Sequence, residues 1–91
     1  MYRIKSSSPH ITQFVKQLRI RGMSEKTTLG YVQSLEYFLA YYRGIKPSQL
    51  TLDHIHDYQY LLCHTRKQSH AYVNSQTAAI KFFSRNVLRK N

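Results

Sequence analysis

The stretch from Arg66 to Lys90, RKQSHAYVNSQTAAIKFFSRNVLRK, decides the reading of the fold. It opens on a basic pair and a polar residue, Arg66-Lys67-Gln68, after which Ser69 is placed to cap a helix by accepting from an exposed backbone N–H. Val73, Thr77, Ile80, Phe83 and Val87 recur at helical spacing and give one buried stripe. The other faces carry Asn74, Ser75, Gln76, Lys81 and Arg85, with Arg89 and Lys90 at the end. A helix start that presents cations, a hydroxyl and amides suits a phosphate backbone and base edges. A solvated C-terminal helix explains the same residues, and the stretch taken alone favours that plainer reading.

An earlier stretch shifts the balance. Arg21 to Phe38 reads RGMSEKTTLGYVQSLEYF, and Arg66 to Phe83 reads RKQSHAYVNSQTAAIKFF. At one constant offset Arg21 matches Arg66, Ser24 matches Ser69, Leu35 matches Ile80, and Tyr37-Phe38 match Phe82-Phe83. Apolar spacing alone would align any two amphipathic helices. The repeated Arg-x-x-Ser start is the part that periodicity does not generate.

Composition narrows the partners. Ninety-one residues make one domain able to bury a core without staples. The lone Cys63 excludes an internal disulfide and fits a reducing compartment; beside Leu61 and Leu62 in a helical pattern, it is expected to be a buried structural thiol. No hydrophobic run reaches transmembrane length, and Met1-Tyr2-Arg3-Ile4-Lys5 lacks the apolar core of a signal peptide, so the expectation is a soluble, cytoplasmic protein. Fourteen Lys and Arg against four Asp and Glu give a formal charge of +10, a self-repulsion best tolerated with an anionic partner at hand. Nucleic acid leads as that partner, ahead of an acidic membrane, because no helix sets its cations opposite a broad apolar face.

The order of elements follows from caps and breakers. Residues 1–7 form a flexible basic lead-in, and residues 8–91 form the single domain. Ser8-Pro9 starts a first helix with the stripe Ile11, Phe14, Val15 and Leu18, expected to run to about Arg21 before Gly22 ends it. Ser24 caps a second helix carrying Leu29, Val32, Leu35, Phe38, Leu39 and Tyr42, closed by Gly44 ahead of Lys46-Pro47-Ser48. Thr51 caps a third, with Asp53 on its dipole, Leu52, Ile55, Tyr58, Leu61 and Leu62 on its core face, and Arg66 and Lys67 at its end. Gln68 is the break before the fourth. No segment alternates with period two, so the fold class is all-α: a compact four-helix bundle with short loops. Gly30, inside the second helix, costs about 1 kcal/mol relative to alanine; close approach of a bulky partner and close helix packing both account for it.

Catalytic and metal chemistry find little support. His54 and His56 lie two apart and point to nearly opposite sides of a helix. Asp53 with His56 or Asp57 has better spacing, but a solvated charged face is the commoner meaning of such residues. There is no glycine-rich phosphate loop, Cys-x-x-Cys or acidic cluster for magnesium, and the four carboxylates offer no paired hydrolytic site. Tyrosines are available as nucleophiles, yet phosphoryl transfer through tyrosine needs clustered arginines and a histidine, and His-x-x-Arg does not occur.

With these residues in view, Ile11 to Phe83 resembles the N-terminal core-binding (SAM-like) domain of tyrosine recombinases, the phage and integron integrases. The likeness is carried by Phe14-x-x-x-Leu18 before Arg21-Gly22-Met23-Ser24, and by Thr27-x-x-x-Tyr31-x-x-x-Leu35 with Phe38. Leu50-Thr51-Leu52-Asp53-x-x-x-x-Tyr58-x-x-x-Leu62 and Ser69 with Ala79-Ile80-Lys81-Phe82-Phe83 complete it. The resemblance implies a SAM-like four-helix module forming half of a clamp on double-stranded DNA, its second and fourth helices crossing in the major groove. It implies other recombinase protomers on the same DNA, an origin in prokaryotes, phages or mobile elements, and a nucleoid-associated protein. It places Lys26, Thr27 and Gly30 of the second helix against DNA, with Arg66, Tyr72, Ser75 and Gln76 around the start of the fourth and Lys67, Ser69 and Lys81 beside them. Ala71 and Gly30 stand where relatives place longer side chains, so the phosphate contacts of Arg66 and Lys67 carry over more securely than base readout. The family's catalytic arginines, lysine, histidines and tyrosine belong to a following domain, absent from these residues, which are then an excised fragment or a truncated gene product. No catalytic residue, metal, cofactor or small-molecule substrate is expected. A standalone basic protein-interaction domain and a small nucleic-acid-binding regulator remain the alternatives.

Overall fold

Two serines set the starts of the two long helices. Ser24, in extended backbone, accepts the N–H of Thr27 at 3.1 Å, and Ser69, with nearly the same backbone angles, accepts that of Tyr72 at 3.2 Å. In the computed structural model, which describes residues 9–89, these caps open α2 (Glu25–Tyr41) and α4 (His70–Asn86). Before them comes α1 (Pro9–Ile20), and between them a 3₁₀ turn (Pro47–Gln49) and α3 (Leu52–Tyr60). The described residues contain no strand and form an all-α bundle of four helices, as the periodicity predicts. The lead-in 1–7, the Ser8 cap, Lys90 and Asn91 lie outside the described residues.

The helix ends depart from expectation for local reasons. α1 stops at Ile20, and Gly22 makes the turn with φ of +75°, a conformation glycine adopts at little cost. α2 ends at Tyr41, so Gly44 lies in the turn beyond and is not its cap. α3 starts with the Thr51 N–H donating to Nδ1 of His54 at 2.9 Å, so the imidazole fills the place usually held by Glu or Gln in a capping box. It does not continue unchanged to Arg66. From Leu61 to Thr65 it widens into a π turn, with the Arg66 N–H reaching back to the Leu61 carbonyl and the Gln68 N–H to that of Leu62, both at 2.9 Å. Lys67 then reverses the chain with φ of 50°, an uncommon conformation for a residue with a side chain.

α4 packs against α1, α2 and α3 alike. Its stripe of Val73, Thr77, Ile80 and Phe83 is buried, and Val87 packs at the edge. Phe14 of α1 is fully enclosed, edge-on to Phe82 and Phe83 of α4 and stacked on Tyr31 of α2. A second aromatic group holds the other end, where Phe38 meets Tyr42 and Tyr58 at centroid distances of 5.2 and 5.1 Å. The buried hydroxyls of Thr28, Ser34 and Thr77 each donate to the carbonyl one turn back, at 2.9, 2.9 and 2.7 Å, which satisfies them within their own helices.

Two core assignments are corrected. Cys63 is exposed: seven residues after exposed His56 and three after exposed Tyr60, it stands on the outer side, away from Ile55, Tyr58 and Leu62. Leu52 is 53% exposed: at the first position of α3 it precedes the turn that meets the core through Ile55 and Tyr58. Replacing Phe14 by alanine is therefore expected to cost about 3–5 kcal/mol, and Leu52→Ala no more than about 0.5 kcal/mol. Urea unfolding followed by circular dichroism separates the two.

Candidate nucleic-acid interface

α2 and α4 run in opposite senses. Arg21, just ahead of α2, donates to Oδ1 of Asn86 at the end of α4 at 2.7 Å and lies over the Phe82 ring at 5.4 Å. At the other end, Tyr37, Ala40 and Tyr41 of α2 share a groove with Tyr72 from the first turn of α4 and with Arg66. The two serine-capped starts thus sit at opposite ends of one seam. Along α2 the exposed residues Lys26, Gly30, Gln33 and Tyr37 follow one another at helical spacing, with Thr27 beside the first of them. Along α4 the exposed residues between Tyr72 near its start and Arg85 near its end are small: Asn74, Ser75 and Ala78, with Ala71 in the first turn. A low surface with cations near both ends can approach a bulky anion closely without long side chains intervening.

Charge follows the same division. All four carboxylates lie at or before Asp57, and Glu25 is paired with Arg19 at 3.3 Å. Everything from Tyr58 onward, including Arg66, Lys67, Lys81, Arg85 and Arg89, carries no acidic residue. α4 and the loop leading into it are uniformly basic. Burial pushes the Tyr58 phenol above its usual value, and the nearby Arg66 guanidinium pulls in the opposite direction.

The expected site residues fall into three groups. Lys26, Thr27, Gly30, Arg66, Lys67, Tyr72 and Ser75 are exposed and border the seam or its ends, and Ser69 is exposed with its hydroxyl committed to the cap. Gln76 is corrected: only 7% of it is exposed, and its Oε1 has no hydrogen-bond partner. It stands three residues after Val73 and four before Ile80, so helical geometry carries it into the buried stripe whatever its polarity. Lys81 is also displaced. It lies about half a turn around α4 from Tyr72 at 3.6 residues per turn. There it lines a separate 370 Å³ groove with Thr51, Leu52, Ile55, His56, Ser84 and Arg85.

Two readings of sequence acquire a physical account. The repeated Arg-x-x-Ser start is half genuine: both serines cap, whereas Arg21 is held by Asn86 and Phe82 and Arg66 stands at the tyrosine groove. A Cβ added at Gly30 meets nothing within 4 Å, so helix packing does not require this glycine. Tyr37, Tyr41 and Tyr58 went unnoticed as possible functional residues. The one signal in the sequence is its tyrosine content, eight in 91 residues.

Fold and surface define a small, strongly basic SAM-like helical domain. Compared with known families, residues 11–91 match the phage integrase N-terminal SAM-like domain, and the chain belongs to that family. The matched region is the N-terminal domain of integrases and not their catalytic domain. Comparison with curated proteins and with solved structures gives no match. Among the described residues no helix is long and apolar enough to cross a membrane.

Gly30→Ala is expected to raise stability by about 0.5–1 kcal/mol, since the added methyl enters open space in a helix interior. Gln76→Leu should add about 1–3 kcal/mol by removing a buried amide oxygen that has no hydrogen-bond partner. Chemical denaturation of each variant checks both; a loss of stability in Gln76→Leu would mean that the amide has a partner in solution.

Proposed function

We propose that this domain binds double-stranded DNA as one half of a clamp on a recombination site of a tyrosine recombinase or integrase, alongside other recombinase protomers in the cytoplasm. One observation carries the reading: Arg66 and Lys67 project ahead of α4 from a segment devoid of carboxylates, at the end of a low seam bordered by exposed Lys26, Thr27, Gly30, Tyr72 and Ser75. Arg66 and Lys67 contact phosphates, while the small residues of α4 and Gly30 of α2 let the helix pair settle toward the groove floor. Lys67 supports this role through its backbone, because a left-handed conformation at a residue with a long side chain is retained where surrounding structure or function demands it. Ser69 contributes by holding the first turn of α4 in shape, and Gln76 and Lys81 are left out of the contact set. By itself the domain anchors DNA and does not cleave it.

Titration of labelled duplex DNA by fluorescence anisotropy over a range of salt concentrations tests the proposal. Affinity should fall with a log–log slope steeper than about −2, at roughly −0.9 for each phosphate neutralised, from a dissociation constant of about 10⁻⁴ to 10⁻⁶ M at physiological salt. Lys67→Glu should weaken binding more than Arg43→Glu, which makes the same charge change away from the seam. Equal losses would exclude the proposed face, and stronger binding to duplex RNA of equal length would point to a different nucleic acid.

A further inference from the structure

The groove at the α4 end of the seam has a chemistry that duplex contact does not call for. Its walls are Tyr37, Ala40 and Tyr41 from α2, Tyr58 from α3 and Tyr72 from α4, with Arg66 at the mouth, around a volume of about 460 Å³. Half of the chain's eight tyrosines converge here from three helices. Tyr58 is buried and fixed against Phe38, and Tyr41 leans on it at a centroid distance of 5.6 Å, so the inner wall is rigid. Tyr37, Tyr41 and Tyr72 remain 58%, 50% and 38% exposed, leaving aromatic surface open to solvent within the groove. Large exposed rings carry a hydration cost that a stacking ligand would remove.

Resting on the DNA-binding reading above, we propose that this groove takes a single unpaired nucleobase, stacked on the exposed tyrosine rings, with the adjoining phosphate held by Arg66. Three features select that ligand. Aromatic faces accept any base, since every base presents a π surface. A guanidinium at the mouth fits an anion and disfavours the cationic guests that aromatic cages otherwise attract. The volume lies in the range of small-ligand pockets and leaves no room for a duplex. The domain would thus hold a nucleotide that has left the helix next to duplex gripped along the seam.

The test compares three labelled duplexes of one length and sequence: fully paired, carrying one unpaired thymidine at the centre, and carrying an abasic residue at that same bulge. Expected is a preference of about 5- to 100-fold for the thymidine bulge over the paired duplex, the range set by stacking of one base on an aromatic side chain. The abasic bulge, equally flexible but without a base, should show no such preference. Tyr37→Ala and Tyr41→Ala should each reduce the ratio between bulged and paired duplex, and the corresponding phenylalanine variants should preserve it, with thermal melts confirming that all four fold. Equal binding of all three duplexes overturns the inference and leaves duplex recognition standing, as does a preference shared by the abasic bulge or undiminished in both alanine variants. Binding of the thymidine bulge alone supports the groove and overturns the duplex reading. Binding of none overturns both.

Discussion

One helix has to satisfy three neighbours at once, and the remainder of the structure is arranged around that demand. α4 meets α1 through Phe83 and Phe82 against Phe14, α2 along the seam, and α3 from the side of Ile80 and Ser84. A helix with one apolar stripe can serve three partners only if that stripe is wide, and here it extends from Ala79 across Phe83 and Ile80 to Val73 and Thr77. The width consumes Gln76, which is buried although its amide oxygen finds no partner. The opposite side of α4 is left narrow, with alanine, serine and asparagine along its middle and Arg85 toward its end. Packing and the low outer surface are therefore two consequences of one constraint.

The basic character of the domain acts within the same frame. A cation on α4 has no acidic residue in its own element, and the carboxylates sit on α2 and α3. Such segregation leaves repulsion uncompensated within the isolated domain and leaves a field to which a polyanion responds at a distance. Arg21 shows the alternative use of a cation: tied to Asn86 and lying on Phe82, it fastens the start of α2 to the end of α4. Arg66, its counterpart in the sequence repeat, makes no comparable tie to another helix end and faces the groove beside Tyr72. Identical residues in matched positions thus do different work, because the helices they introduce are oppositely directed.

Much of the fold was legible in the sequence wherever a rule acts over a short range. Ser24 and Ser69 cap as expected because capping involves only three or four consecutive residues, and the stripes of α1 and α4 are buried because period alone sets a helix face. The reading failed where a tertiary choice intervened. Cys63 was expected inside beside Leu61 and Leu62, but it lies on the side of exposed His56 and Tyr60; the π turn at Leu61–Thr65 was not foreseen either, since no residue type announces one. Gln76 and Lys81 were placed on the outer surface by polarity, although the spacing already aligned Gln76 with Val73 and Ile80 and set Lys81 half a turn from Tyr72. The groove formed by Tyr37, Tyr41, Tyr58 and Tyr72 could not be read, since its walls come from residues far apart in the chain.

Gly30, Lys67 and Gln76 each break a local rule, and their positions give those breaks a meaning. A helix-interior glycine over open space, a left-handed lysine and a buried amide oxygen without a partner are each unfavourable by about 1 kcal/mol or more. All three belong to α2, to α4 or to the loop that delivers α4, and a further left-handed residue, Arg89 with φ of 56°, follows just after α4. Gly30 keeps the outer side of α2 low, and Lys67 turns the chain so that Arg66 precedes a capped helix start. Gln76 marks where the stripe of α4 was widened to reach its neighbours. Stability has been given up along one seam, and local rules are most often broken where a surface serves something besides folding. That concentration falls on the two longest helices and on the loop that joins α3 to α4, and it owes nothing to charge.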